Sequence, residues 1–247
     1  VFPATVEIFY ERLTPDAFLQ AVKEAPIAYL PLGTLEYHGP HLPLGSDMLQ
    51  PLGIFAELAR SVGGVVLPSL SAGPDEKTVI AGEDFYGMDF EFLTARERAR
   101  RLPGSAYWVD DPTFLQYVDG MVRQLSRAGL KIVVGHGHGP STDFFRRQAP
   151  MWKETYGIKA LTMQEILREK ELGFMIDHAG ANETSIMLAT NPELVKMENL
   201  PKDPDEWPRG IMGEDPRLRA SAEFGRRIIK ANLVEMERLL REELVGL

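Results

Sequence analysis

The chain predicts an α/β fold: three layers, α/β/α, with a largely parallel sheet in the middle. Three observations carry that expectation. Short apolar runs at 27–32, 65–68, 130–134 and 158–162 alternate with longer stretches of helical periodicity. Polar, Gly-rich loops follow two of those runs, which is where parallel sheets bind ligands. Hydrophobic residues make up 44% and charged residues 26% of the 247 positions, so the chain can bury a sizeable core, expected as one domain over 1–247.

The elements follow in order. Thr14-Pro15-Asp16 supplies an N-cap, a first-turn proline and a dipole-favoured acid for a short helix carrying Phe18, Leu19 and Val22. Ile27–Leu32 reads as a buried strand. A polar loop from Gly33 to Asp47 comes next. A helix then carries Met48, Leu49, Leu52, Ile54, Phe55 and Leu58, with Asp47 near its N-cap and Pro51 in its first turn. Gly63-Gly64 ends it before the strand at Val65–Pro68, which completes a βαβ crossover. The stretch 69–108 is rich in aromatics and Gly-Pro pairs and reads as an excursion of the kind that forms lids and binding loops. Its charge run, Arg96 to Arg101, is expected to be a solvated helix face.

Asp111-Pro112 opens a helix that stops at Ala128-Gly129. The strand Leu130–Val134 runs into a second polar loop, Gly135-His136-Gly137-His138-Gly139-Pro140, with Ser141-Thr142-Asp143 capping the next helix. Gly157 ends that helix, a strand follows at 158–162, and a short helix is expected from Met163 to Leu172. The apolar triplet Phe174-Met175-Ile176 leads into a third polar loop, Asp177 to Ser185, which opens a helix. Residues 199–215 are Pro- and Asp-rich and read as irregular. Pro216 begins a long final helix.

All five histidines, His38, His41, His136, His138 and His178, fall inside the three Gly-rich loops. Scattered structural histidines would not cluster in this way. Parallel strands bring their C-terminal ends to one edge, so Glu36, His38, Asp47, His136 and His138 can converge there, joined by His178 and Glu183. Carboxylate and imidazole together suit a divalent metal of the zinc, manganese or iron type, and the absence of cysteine removes any thiolate alternative. The set is large enough for two ions, with Asp47 as a bridge. Such a pair lowers the pKa of water toward neutrality and polarises a carbonyl. His178 or Glu183 can then move a proton to the leaving atom. His41 is expected to brace the loop rather than bind metal. Glu183 can also cap the helix that follows it.

The motif from Gly33 to Asp47, GTLEYHGPHLPLGSD, closely resembles the signature of the creatininase (creatinine amidohydrolase) family. Gly135-His136-Gly137, Pro103-Gly104-Ser105, His178-Ala179-Gly180 with Glu183-Thr184-Ser185, and Gly213-Glu214-Asp215-Pro216 resemble its later motifs in the right order. The resemblance implies a creatininase-like α/β domain, two divalent ions (Zn, Mn or Fe) and a homo-oligomer, often a hexamer. It implies that Glu36, Asp47 and His136 hold one ion, and that His38 and Asp47 hold the other. His138 stands where creatininase has a glutamate, so either His138 or Glu183 completes the second site. His178 matches the residue that moves protons. The expected activity is hydrolysis of a non-peptide C–N bond in a small polar, cyclic substrate. The alternatives are ring-opening C–C hydrolysis of a cyclic diketone, such as an oxidised inositol, and a catalytically silent, metal-stabilised oligomeric binding protein.

Other classes fit poorly. A formal net charge of -9 argues against nucleic-acid or anionic-membrane partners. No apolar run approaches the roughly 18 residues of a membrane span. The start, Val1 to Glu7, has no signal-peptide pattern, which makes the cytoplasm the expected location. The Gly135–Gly139 spacing is not that of a dinucleotide-binding loop.

Overall fold

The computed structural model describes residues 7–91, 100–164 and 170–247. Its centre is a four-stranded, wholly parallel sheet. In chain order, α1 (Pro15–Glu24) leads to β1 (Ile27–Leu32), α2 (Ser46–Ser61) and β2 (Val65–Val66). Four short strands follow: β3 (Lys77–Ile80), β4 (Glu83–Tyr86), β5 (Phe90–Glu91) and β6 (Arg100–Arg101). Then come α3 (Asp111–Arg127), β7 (Ile132–Gly137), α4 (Gly139–Tyr156), β8 (Lys159–Leu161) and α5 (Ala181–Thr190). The last two elements are α6 (Pro216–Arg219) and α7 (Ala222–Val245). The sheet order is β2-β1-β7-β8.

Alternation along the strands gives each face its own core. Ile27, Tyr29, Ile132 and Val134 point to the side covered by α2, α5 and α7, where they meet Phe55, Leu58, Ile186, Ile228 and Met236. Ala28, Leu30, Leu32 and Val133 point to the side covered by α3 and α4, against Phe114, Val118, Phe145 and Trp152. Each large apolar side chain buried here contributes about 1.5–3 kcal/mol. Tyr29 keeps its polar end satisfied by donating to the Gly63 carbonyl at 3.1 Å.

The expected three-layer parallel architecture is therefore observed, with differences in detail. Strand β7 runs on through His136 to Gly137, and α4 begins at Gly139, so the second polar loop shrinks to the single residue His138. His138, not Ser141, is the N-cap of that helix, with Pro140 in its first turn, and the Thr142 hydroxyl turns back to accept the Gly137 N–H at 3.0 Å. Pro51 lies in the interior of α2 rather than its first turn, and Gly45 is the N-cap. No strand leads into the third polar loop. Residues 174–176 are irregular, and the loop is held instead by His178 and Met212, whose backbones pair in an antiparallel bridge. The final helix is broken at Ala220, because the Ser221 hydroxyl caps a new helix by accepting the Phe224 N–H at 3.1 Å.

Between β2 and α3 the chain makes two antiparallel pairs, β3 with β4 and β5 with β6. Arg100 and Arg101 are thus strand rather than helix, while Arg96 to Ala99 of the same charge run lie outside the described residues. So do Val1 to Val6, Phe92 and the middle of the helix expected from Met163. The end of that stretch, Lys170–Leu172, is a turn of 3₁₀ helix.

Candidate metal centre

Strands β1 and β7 are neighbours, with Pro31 opposite His136 and Leu32 opposite Gly137. Their C-terminal ends therefore release Glu36, His38 and His138 at one edge of the sheet. Asp47 arrives in the first turn of α2, and Glu183 in the first turn of α5. Three helix N-termini, those of α2, α4 and α5, meet at this edge, and their partial positive charges favour buried carboxylates. The approach is close. A Cβ on Gly137, whose φ is 154°, would come 2.8 Å from the Asp47 carbonyl oxygen.

The side chains sit at spacings that suit ligands of a common ion. Bonds of about 2.0–2.2 Å place neighbouring ligand atoms about 2.8–3.6 Å apart in octahedral or tetrahedral arrangements. His138 Nδ1 lies 3.1 Å from Glu36 Oε1 and 3.2 Å from Asp47 Oδ2. His38 Nε2 lies 3.3 Å from Asp47 Oδ1 and 3.7 Å from Glu183 Oε2. The two oxygens of Asp47 thus face two different imidazoles. Despite these short separations, His38 Nε2 and Asp47 Oδ2 are buried without a hydrogen-bond partner, as is Glu36 Oε2 beside them. Buried polar atoms normally find partners. Atoms that crowd together without bonding one another fit a divalent cation. Three groups of such residues form: Glu36, Asp47 and His138; His38, Asp47 and Glu183; and Glu36, His38 and His178.

Two of the rings have their tautomers set by backbone. His38 Nδ1 is 3.2 Å from the Glu36 carbonyl, so the neutral ring donates from Nδ1 and keeps Nε2 as a lone pair. His178 Nε2 is 2.8 Å from the Tyr37 carbonyl, which leaves its Nδ1 lone pair toward Glu36 at 3.5 Å. The His38 and His178 rings lie 4.3 Å apart.

Protons neutralise this cluster when no metal does. Burial opposes ionisation of Asp47, but His38 and His138 prevail and hold its carboxyl well below the usual range. Burial is likewise outweighed at Glu36, chiefly by His138, and its pKa is lowered. The rings respond in the opposite sense. Against burial, Asp47 leads the carboxylates that push His38 up to about 10, and Glu36 leads those that raise His138 well above its ordinary value. Burial dominates at Glu183, whose pKa is pushed up to about 8, with Asp47 and Asp177 adding to it. Burial and the charge of His38 lower His178.

His136 takes a different place from the one the resemblance implies. It remains in β7, on the sheet face of Ile132 and Val134, with its ring centroid 5.5 Å from that of Phe174, and it joins none of the three groups. Gly137 breaks the strand pattern, so it is His138 that turns to Glu36 and Asp47. His136 is buried, with both ring nitrogens outside hydrogen-bonding geometry, and burial lowers its pKa to about 4 although the Phe174 backbone and Asp47 favour the charged form. It is thus a neutral donor beside the centre. His41 braces the loop, its Nε2 lying 2.8 Å from the Thr184 hydroxyl.

One residue escapes the sequence reading. Asp75, from the excursion after β2, places Oδ2 3.3 Å from His138 Nε2. The signal available was an acid directly after Gly73-Pro74 in a stretch otherwise dominated by aromatics. Glu36, Asp47, Asp75, His138, His178 and Glu183 all border a cavity of about 610 Å³, whose outer wall carries Met88, Phe90, Met175, Ile176 and Met212. That is the size of a small-molecule site. No helix among the described residues is long and apolar enough to cross a membrane.

Comparisons with known proteins bear on this centre. The model of the creatininase (creatinine amidohydrolase) family matches residues 11–240. The chain is similar to the creatinine amidohydrolase of Pseudomonas putida, 27% identical over 197 residues that span 72% of this chain and 69% of that one. It is also similar to the mycofactocin precursor peptide peptidase of Mycolicibacterium smegmatis, 26% identical over 175 residues, 71% of this chain and 62% of that one. In structure it resembles a solved creatinine amidohydrolase with a TM-score of 0.74 and 22% identity, over 96% of this chain and 97% of the other. A manganese form and a Zn–Zn form of creatininase also match, each with a TM-score of 0.68.

Proposed function

The chain belongs to the creatininase family of hydrolases, and from that premise we propose that it is a divalent-metal-dependent amidohydrolase acting on a C–N bond of a small polar, cyclic substrate. Asp47 carries the reading. Its two oxygens face His138 and His38 at 3.2 Å and 3.3 Å, the arrangement of a carboxylate shared between two cations. Glu36 and His138 are placed to complete one cation site, and His38 and Glu183 the other, with His136 a neutral imidazole beside them. Divalent ions held there supply an activated water and a Lewis acid for the carbonyl.

The remaining work falls to the chain itself. His178 presents Nδ1 to the cavity, with its proton held on Nε2 by the Tyr37 carbonyl. It is therefore set to take a proton from the attacking water and return it to the leaving nitrogen. Glu183 is steadied by the Ala179 N–H, which donates to its Oε2 at 2.8 Å. The buried floor excludes bulk water, which strengthens each of these electrostatic interactions.

The test is a panel of lactams, N-formyl compounds and short peptide amides, with cyclic diketones as the C–C control. Each is assayed before and after chelation and after reloading with Mn²⁺ or Zn²⁺. Amide cleavage should vanish on chelation and return with metal. Cleavage by a fully metal-free chain would overturn the proposal, and turnover of the diketones alone would replace C–N with C–C hydrolysis.

A further inference from the structure

We propose that Asp75 is a positioning residue: it holds the His138 ring by Nε2 so that Nδ1 is delivered to the cation site shared with Glu36 and Asp47. This rests on the metal reading given above. The ring is engaged on both edges. Nδ1 lies 3.1 Å from Glu36 Oε1 and 3.2 Å from Asp47 Oδ2, while Nε2 lies 3.3 Å from Asp75 Oδ2. A histidine that binds metal through one nitrogen commonly gives its other N–H to a carboxylate, which fixes the ring plane and makes the ligand more basic. Asp75 is the only one of these three carboxylates on the Nε2 side. It comes from outside the sheet edge altogether.

The carboxylate of Asp75 is itself held. Its Oδ1 accepts the Glu76 N–H at 2.8 Å, which turns Oδ2 toward the ring. Trp108 Nε1–H donates to the Asp75 carbonyl at 3.2 Å, and the Gly87 N–H donates to the Glu76 carbonyl at 2.9 Å. Gly87 is seated directly on the carboxylate. Its φ is 50°, and a Cβ there would come 2.6 Å from Asp75 Oδ1, so glycine is needed on both counts. The Asp75 side chain is only 7% accessible. An acid this enclosed, braced through one oxygen and facing an imidazole with the other, has the geometry of an orienting partner rather than a solvated surface charge.

The experiment compares Asp75→Ala, Asp75→Glu, His138→Ala and the double alanine variant with the wild type. Chelator-stripped proteins are titrated with Mn²⁺ by calorimetry, and metal-free melting temperatures are recorded alongside. Two ions should bind the wild type, and His138→Ala should lose one of them. Asp75→Ala should weaken that same ion about 10–100-fold and leave the other unchanged. The double variant should be no worse than His138→Ala, because the two residues act as one unit. Asp75→Glu should recover part of the affinity, and metal-free melting should be unaffected. If His138→Ala loses an ion while Asp75→Ala binds both like the wild type, the orienting role falls and the metal reading survives. If His138→Ala keeps both ions, or the wild type binds none, the metal reading fails and takes this proposal with it. Equal weakening of both ions with a lowered metal-free melting temperature would mark Asp75 as merely structural and overturn the proposal.

Discussion

The sheet edge and the arm formed by β3 to β6 both reach His138, but they are built on different principles. At the edge, all six residues of β1 and all six of β7 are buried, and every strand pairs in parallel with a neighbour. The positions of Glu36 and His138 are thereby properties of the core. The arm has no such backing. Strand β3 alternates between exposed and half-buried residues, and among the described residues each arm strand pairs only within the arm. Local contacts secure it: the Tyr86–Trp108 stack at 4.1 Å, Phe85 edge-on to Phe90 at 5.5 Å, and the Lys77–Asp84 ion pair at 2.6 Å. That pair is about half exposed, so it adds little stability. The contrast divides the labour. The edge sets where the donors are, and the arm sets how one of them is turned.

Experiments can break this division in order of size. Asp47→Asn attacks the edge at its shared point. It should reduce turnover to background, beyond the loss of about 10⁴-fold that removal of one proton-transfer group brings, and metal content should fall with it while the fold persists. Retained activity in that variant would remove the edge from the mechanism. His178→Asn should lower kcat by about 10²–10⁴-fold with metal content unchanged, measured by steady-state kinetics and elemental analysis. Loss of metal there would make His178 a ligand instead.

Proton release tests the charge state of the edge. His38, with a pKa of about 10, and His138, raised well above its ordinary value, are both protonated at pH 7 in the metal-free chain, whereas ligation needs neutral rings. Glu183, at about 8, is likewise mostly protonated at pH 7 and must ionise to bind. Metal binding should therefore release about two to three protons at pH 7, and apparent affinity should climb as pH rises toward those values. Glu36 and Asp47 are already ionised and release none. Calorimetry in two buffers of different ionisation enthalpy reads the number directly, and no release would mean the rings are neutral beforehand. The smallest effect belongs to the arm. Trp108→Ala removes a stacking pair worth about 0.5–1.5 kcal/mol and should weaken Mn²⁺ binding only a few-fold, while leaving the melting of the sheet nearly unchanged.

The same contrast explains what could be read from sequence. The run Ile27–Leu32, the polar loop after it and the helix behind Asp47 are legible because each has its own periodicity and its own Gly or Pro boundary. The convergence of Glu36, His38, Asp47 and His138 follows from parallel strands, whereas His178 and Glu183 arrive on a loop held by the His178–Met212 bridge. The separate fates of His136 and His138 do not, because they depend on where β7 gives way to α4, and a glycine at 137 is compatible with either. The arm's strands of two to four residues are too short to show a period, so the acid after Gly73-Pro74 could not be placed against His138 from sequence. The apolar Phe174 ahead of the third loop does not mark a strand end. Its burial serves the core between the sheet and α2, α5 and α7 instead.

The pairing of Pro31 with His136 joins parts of the chain more than a hundred positions apart, and Glu183 lies further along still. No early portion of the polypeptide therefore owns a complete ligand set. During synthesis, Glu36 and Asp47 must leave the ribosome long before their partners exist, as isolated acids on an unfinished surface. Under the proposed metal reading, cation capture would accordingly be a late step in maturation and would report that the two halves of the sheet have found each other.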